Sequence, residues 1–123
     1  MTTAPTRGVE GILVETHNWG KSVAFWKALG YELEFETDHH SGQLRHPGGG
    51  PYLFVAEVPE SVPVAFLPML SADSTEQFQP PSAGTVEQPF VEQHWGVHEM
   101  MLRDPDNRRV SVQVPIRSET PTS

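Results

Sequence analysis

One stretch of this chain leaves little choice of backbone: WGVHEMMLRDPDNRRVSVQV, from Trp95 to Val114, reads as a β-hairpin. Val97, Glu99 and Met101 alternate with His98, Met100 and Leu102. Asp104-Pro105-Asp106-Asn107 follows as a turn, and Val110, Val112 and Val114 then alternate with Arg109, Ser111 and Gln113. Pro105 presets φ for a first central turn position, Asp104 can accept backbone N–H groups, and Asn107 tolerates the left-handed conformation where chains usually place Gly. The hairpin has one apolar face, made by Met100, Leu102, Val110, Val112 and Val114. The other face carries Glu99, Arg103, Arg109, Ser111 and Gln113, so it must meet water, a partner or a ligand.

A chain of 123 residues is expected to form one compact domain, because chains of this size bury roughly two thirds of their unfolded surface. There is no cysteine, which excludes a disulfide framework, a thiolate nucleophile and a Cys-based zinc site. The start, MTTAPTRG, has no apolar stretch of the signal-peptide kind, and the longest apolar run, VPVAFLPML, is short and broken by Pro63 and Pro68. A soluble, cytoplasmic protein is therefore expected. Net charge is −8, which argues against nucleic acid or an anionic membrane surface as partner. No Lys or Arg occurs between His46 and Leu102, while Glu57, Glu60, Asp73, Glu76, Glu87, Glu92 and Glu99 all fall there. A second basic-free run, Ala28 to Leu44, holds Glu32, Glu34, Glu36 and Asp38. Two accounts are open, a solvated acidic surface and a field that attracts a cationic ligand.

Along the rest of the chain, GILVETH reads as a strand ending near His17, and Asn18 as the N-cap of a short amphipathic helix. On that helix Trp19, Val23 and Trp26 share a face, and Gly30 is its C′ residue. YELEFE alternates strictly, with Tyr31, Leu33 and Phe35 on one face and three glutamates on the other. QLRH and PYLFVAEV supply two more strands, separated by a glycine turn at 48–50. The first half thus reads β-α-β-β-β. The second half repeats the pattern in degenerate form: VPVAFLPML is a strand confined by its prolines to an edge or a bulge, and Asp73 or Ser74 caps a helix that Pro80-Pro81 stops within two turns. TVEQPFVEQHWG then leads into the hairpin. Two modules of about 8–60 and 61–116 result, an internal duplication.

These residues resemble the vicinal oxygen chelate superfamily, which includes glyoxalase I, extradiol dioxygenases and the bleomycin resistance proteins. The likeness covers nearly the whole chain and rests on NWGKSVAFWKALGYELEF and on WGVHEMMLRDPDNRRVSV. It implies an α+β fold of two βαβββ modules whose mixed sheet curls around a ligand cleft, with the second helix shortened here, and a homodimer. It also implies metal ligands early in the first strand, in the strands at the middle of the chain and in the last strand, and the first and last of these positions fall on Gly11 and Ser111. Neither is an ordinary ligand for a divalent ion, so no metal and no cofactor are expected, the pattern of the bleomycin resistance branch.

The candidate ligand-binding residues are Glu15 on the first strand, Glu99, Ser111 and Gln113 on the hairpin, and Trp19 and Trp95 as aromatic platforms. For the two tryptophans an ordinary core role stays open. His94 and His98 have the spacing of a helical zinc motif but sit on a strand beside Gly96, and His39, His40 and His46 belong to turns. No nucleophile-base arrangement or phosphate loop can be assembled. The function expected is non-catalytic binding of a small cationic, partly planar molecule such as an antibiotic, with Ser111 and Gln113 orienting it. The alternatives are a metal-dependent lyase or dioxygenase with displaced ligands, and an interaction domain whose cleft serves only dimerisation.

Overall fold

The computed structural model describes residues 5–116 and is α+β, with one helix and eight strands in mixed parallel and antiparallel pairing. It divides into two compact units, Val9–Pro68 and the described residues of Met1–Gly8 with Met69–Ser123.

The first unit contains β1 (Val9–Thr16), α1 (Trp19–Ala28), β2 (Glu32–Glu36), β3 (Ser41–Arg45) and β4 (Tyr52–Glu57). Its strands run in the order β2-β3-β4-β1, with β1 and β4 parallel and the other pairs antiparallel. The helix forms where the sequence pattern places it. Asn18 Oδ1 accepts from Lys21 N at 3.0 Å, and Gly30 ends the helix at a φ of +102°. One face of α1 closes a core of Val14, Val23, Leu44, Leu53 and Val55, against which Trp19, Trp26 and Tyr31 pack. The first amide of α1, Trp19 N, donates to Glu57 Oε2 at 2.9 Å, while Glu57 Oε1 lies 3.0 Å from His40 Nδ1. The hydrogen bond to His40, and then that from Trp19, hold the Glu57 carboxyl below the usual carboxylate range.

One expectation needs correction in this unit. The strict alternation of YELEFE breaks at a bulge between Leu33 and Phe35, so Phe35 is 50% exposed instead of joining Leu33 against the core. The compact unit itself runs on to Pro68. The reason is that residues 61–65 return to β1: His17 Nε2 lies 2.7 Å from the Val62 carbonyl oxygen, Glu15 N donates to Ala65 O, and Ala65 N donates to Glu15 Oε1.

The second unit contains β5 (Phe66–Ser71), which begins just before its boundary, then β6 (Thr85–Gln93), β7 (Val97–Arg103) and β8 (Arg109–Pro115). The order is β5-β8-β7-β6, with β5 and β8 parallel and the rest antiparallel. The apolar hairpin face, Met100, Leu102, Val112 and Val114, is buried with Ala72 and Phe78, as the alternation demands. The shortened second helix is reduced further than expected, to one turn. Ser74 Oγ accepts from Glu76 N and Gln77 N, and Phe78 N reaches Ser74 O at 3.2 Å. A first turn fixes several dihedrals for one hydrogen bond, and Pro80-Pro81 forbids the propagation that would recover this cost. The turn still covers the sheet, because it delivers Phe78 edge-on to Phe90 with ring centroids 6.0 Å apart.

The turn between β7 and β8 follows the sequence reading. Asn107 has φ +70°, Asn107 N donates to Asp104 O, and Asp104 Oδ1 accepts from Asp106 N and Arg108 N. Chiefly the Arg108 backbone N–H holds the Asp104 carboxyl below its ordinary 3.8. A depressed folded-state value contributes stability above the unfolded pKa, and that contribution is lost as pH falls through the folded one. Asp104→Asn is therefore expected to be less stable than the parent at neutral pH, with the gap closing below about pH 4. Urea midpoints measured across pH 7 to 2 check this; two parallel curves would mean that the carboxylate charge at the turn is immaterial.

Candidate functional site

The polar face of the hairpin is where titratable and amide groups converge. Period-two alternation puts Glu99 and Met101 of β7 on the same face as Gln113 and Ser111 of β8, and the register pairs Glu99 with Gln113 and Met101 with Ser111. Ser111 is fully buried, and its Oγ donates to Glu99 Oε2 at 2.6 Å. Gln113 Nε2 lies 3.0 Å from Ser111 Oγ and 3.4 Å from Glu99 Oε2. Gln93 Nε2 donates to Glu99 Oε1 at 3.1 Å. Three donors thus orient one half-buried carboxylate, the arrangement that makes burial of a charge tolerable. Trp95 stands beside this group, 51% exposed, with its Nε1 3.4 Å from Gln113 Oε1 and its ring edge-on to His94 at 5.0 Å. The hydrogen bond from Nε1 fixes the indole at the polar edge, and about half of the side chain stays accessible.

Four of the six candidate residues, Trp95, Glu99, Ser111 and Gln113, therefore form one hydrogen-bonded group. Ser111 is too deep to touch a ligand and acts by holding Glu99. Glu15 and Trp19 belong to the first unit: Glu15 accepts from Ala65 N at 3.0 Å, and the Trp19 ring packs on the core near Gly42. Among the described residues, neither His94 nor His98 is hydrogen-bonded to Glu99. Sequence reading missed Gln93. Its signal was present in the tight connection between β6 and β7, where Gly96 at φ +89° and a hydrogen bond from Gly96 N to Gln93 O pair Gln93 with Val97 and so place it on the face of Glu99.

Two further features of this face were not weighed. Ser71 on β5 stands opposite Gln113 in the register, is 7% exposed, and its Oγ has no hydrogen-bond partner. At the turn end, Arg103 and Arg109 face each other across β7 and β8 and both reach Glu87, at 2.7 Å and 3.1 Å. Glu87 can reach them because it is the extra residue of a β6 bulge between Val86 and Gln88. The Arg109 and Arg103 hydrogen bonds hold its carboxyl below the usual range.

No protein-family model matches the sequence, and no curated protein sequence matches it. Solved structures do. Methylmalonyl-CoA epimerase from Mycobacterium tuberculosis superposes with a TM-score of 0.64 at 10% identity, covering 95% of this chain and 93% of its own. A glyoxalase/bleomycin resistance protein/dioxygenase superfamily member from Vibrio splendidus gives a TM-score of 0.61 at 11% identity, covering 85% of this chain and 96% of its own. The chain has the glyoxalase/bleomycin resistance/dioxygenase fold. A structure of NAD-dependent benzaldehyde dehydrogenase from Legionella pneumophila also superposes, with a TM-score of 0.62 at 15% identity over 85% of this chain and 97% of its own. Names this different on one architecture show that the fold leaves function to the site.

Within the glyoxalase/bleomycin resistance/dioxygenase fold, the positions at which resemblance implies metal ligands are filled by other means. Gly11 has no donor, and a Cβ there would overlap the ring of Tyr52, its partner on β4. That ring is covered in turn by the Arg45 guanidinium, 5.6 Å from its centroid. Burial, and secondarily the charge of Glu10, raise the Tyr52 hydroxyl above its ordinary value. Ser111 has committed its hydroxyl to Glu99. Among the described residues no three His, Asp or Glu side chains come together in a way that would hold a metal ion. These residues do not fit a divalent ion. No helix among them is long and apolar enough to cross a membrane.

Proposed function

We propose that this protein binds a small, cationic, partly planar organic molecule on the polar face of its second unit and sequesters it stoichiometrically. The observation that carries the reading is the Glu99 carboxylate, held by Ser111, Gln113 and Gln93 beside a half-exposed Trp95. A carboxylate oriented by neutral donors attracts a cation, and an adjacent indole adds stacking and cation–π attraction. Glu15 and Trp19, engaged within the first unit, do not enter this reading.

A partly exposed charge pair contributes about 1 kcal/mol, roughly a fivefold change in affinity. Titration followed by tryptophan fluorescence, with matched cationic, neutral and anionic aromatic compounds, is expected to rank the cations first. Glu99→Gln should weaken the cations about fivefold and leave the neutral compounds unchanged, with a smaller difference at high salt. Tighter binding of the anionic series would assign the acidic character of the chain to solubility alone.

A further inference from the structure

The polar face is not uniformly acidic. The basic-free run of sequence ends at Leu102, one residue before Arg103, and the register brings Arg103 and Arg109 onto the same face as Glu99. Three successive cross-strand pairs line this face: Glu99 with Gln113, Met101 with Ser111, and Arg103 with Arg109. The first is anionic and the second is uncharged. At the third, two guanidinium groups meet a single carboxylate, Glu87, and so keep a net positive charge. Arg103 lies four residue steps along the strand from Glu99, roughly 13 Å at ~3.3 Å per residue.

We infer that the ligand of this face is bipolar: a cationic group at Glu99 and a carboxylate at the Arg103–Arg109 pair, joined by a flat apolar middle lying over Met101. The inference rests on the binding reading above and specifies its ligand class. The Arg pair is already seen to take a carboxylate. Arg109 grips Glu87 with both Nε and Nη2, at 3.2 Å and 3.1 Å, while Arg103 spends Nε on Glu87 and Nη1 on the Asn107 carbonyl. Arg103 Nη2 and Arg109 Nη1 are left over, and a second carboxylate can use them, because a guanidinium has five donors in a fork that matches carboxylate oxygens. A pure cation would leave this positive end of the face unanswered and would be repelled by it. A zwitterion of matching length satisfies both ends, with opposite signs in the right order along the strand.

The test uses a rigid rod, 4′-(trimethylammonio)biphenyl-4-carboxylate, its methyl ester, which keeps the cation and loses the anion, and its tert-butyl analogue, which keeps only the anion. Tryptophan fluorescence on the full chain is expected to show the zwitterion binding about fivefold tighter than the ester. Arg109→Gln should abolish that difference while leaving the ester's affinity unchanged or improved, and Glu99→Gln should weaken zwitterion and ester alike. Equal affinity for zwitterion and ester in the parent protein would overturn the bipolar ligand and leave cation binding standing. An ester whose affinity does not respond to Glu99→Gln would instead remove the underlying reading, and the bipolar ligand with it. The comparison of zwitterion with ester needs no substitution, so it decides the matter even if an arginine variant fails to fold.

Discussion

Leu44→Ala is expected to lower the free energy of unfolding by about 2–5 kcal/mol, the range for removing a fully buried leucine without collapse of the cavity left behind. Leu44 is wholly buried on β3, where it pairs with Leu33 on one side and Leu53 on the other beneath the helix. It touches the one cluster that joins α1 to its sheet, so neighbouring side chains cannot refill the space without moving the helix. Phe25→Ala is the matched control. Phe25 is 58% exposed and makes an edge contact with Trp26, so its loss should cost less than about 1 kcal/mol. Urea unfolding followed by far-UV circular dichroism, with unchanged slopes, measures both. Similar costs at the two positions would mean that α1 does not pack through the Val23 face.

The second large effect is expected at Gly11. A Cβ there runs into the Tyr52 ring, so Gly11→Ala should cost about 1–3 kcal/mol, as overpacking does. In a Tyr52→Ala background the same change should become neutral or stabilising by roughly 0.5–1 kcal/mol, because alanine loses less backbone freedom than glycine in a strand. The coupling between the two sites is the measured quantity, and the full cycle of four proteins gives it. Additive costs would place the ring elsewhere and would reopen the first strand as a position able to carry a ligand to metal.

Much of this architecture was legible because its signals are local. Strict alternation on either side of Asp104-Pro105-Asp106-Asn107 leaves only a hairpin, and the structure has it residue for residue from Val97 to Pro115. Asn18 and Gly30 bracket a helix for reasons confined to its own backbone. The same locality explains the misses. YELEFE reads as a regular strand because nothing within it reports the bulge that β3 imposes, and Phe35 consequently faces solvent. A possible cap at Ser74 suggested a short helix, whereas one turn was enough to bring Phe78 onto the sheet.

The candidate site divides in the same way. By itself the sequence determined which side chains share a face, since a period of two needs no partner: Glu99, Arg103, Arg109, Ser111 and Gln113 were one set before any fold was known. Only the tertiary structure decided what they do there. Strand pairing buried Ser111 and turned its hydroxyl to Glu99, a bulge in β6 carried Glu87 to the two arginines, and the β4 neighbour of Gly11 laid an aromatic ring where the first metal ligand was expected. Each of these depends on contacts between residues far apart in the chain. The energy of such a contact is set by register and depth, and a linear pattern carries neither.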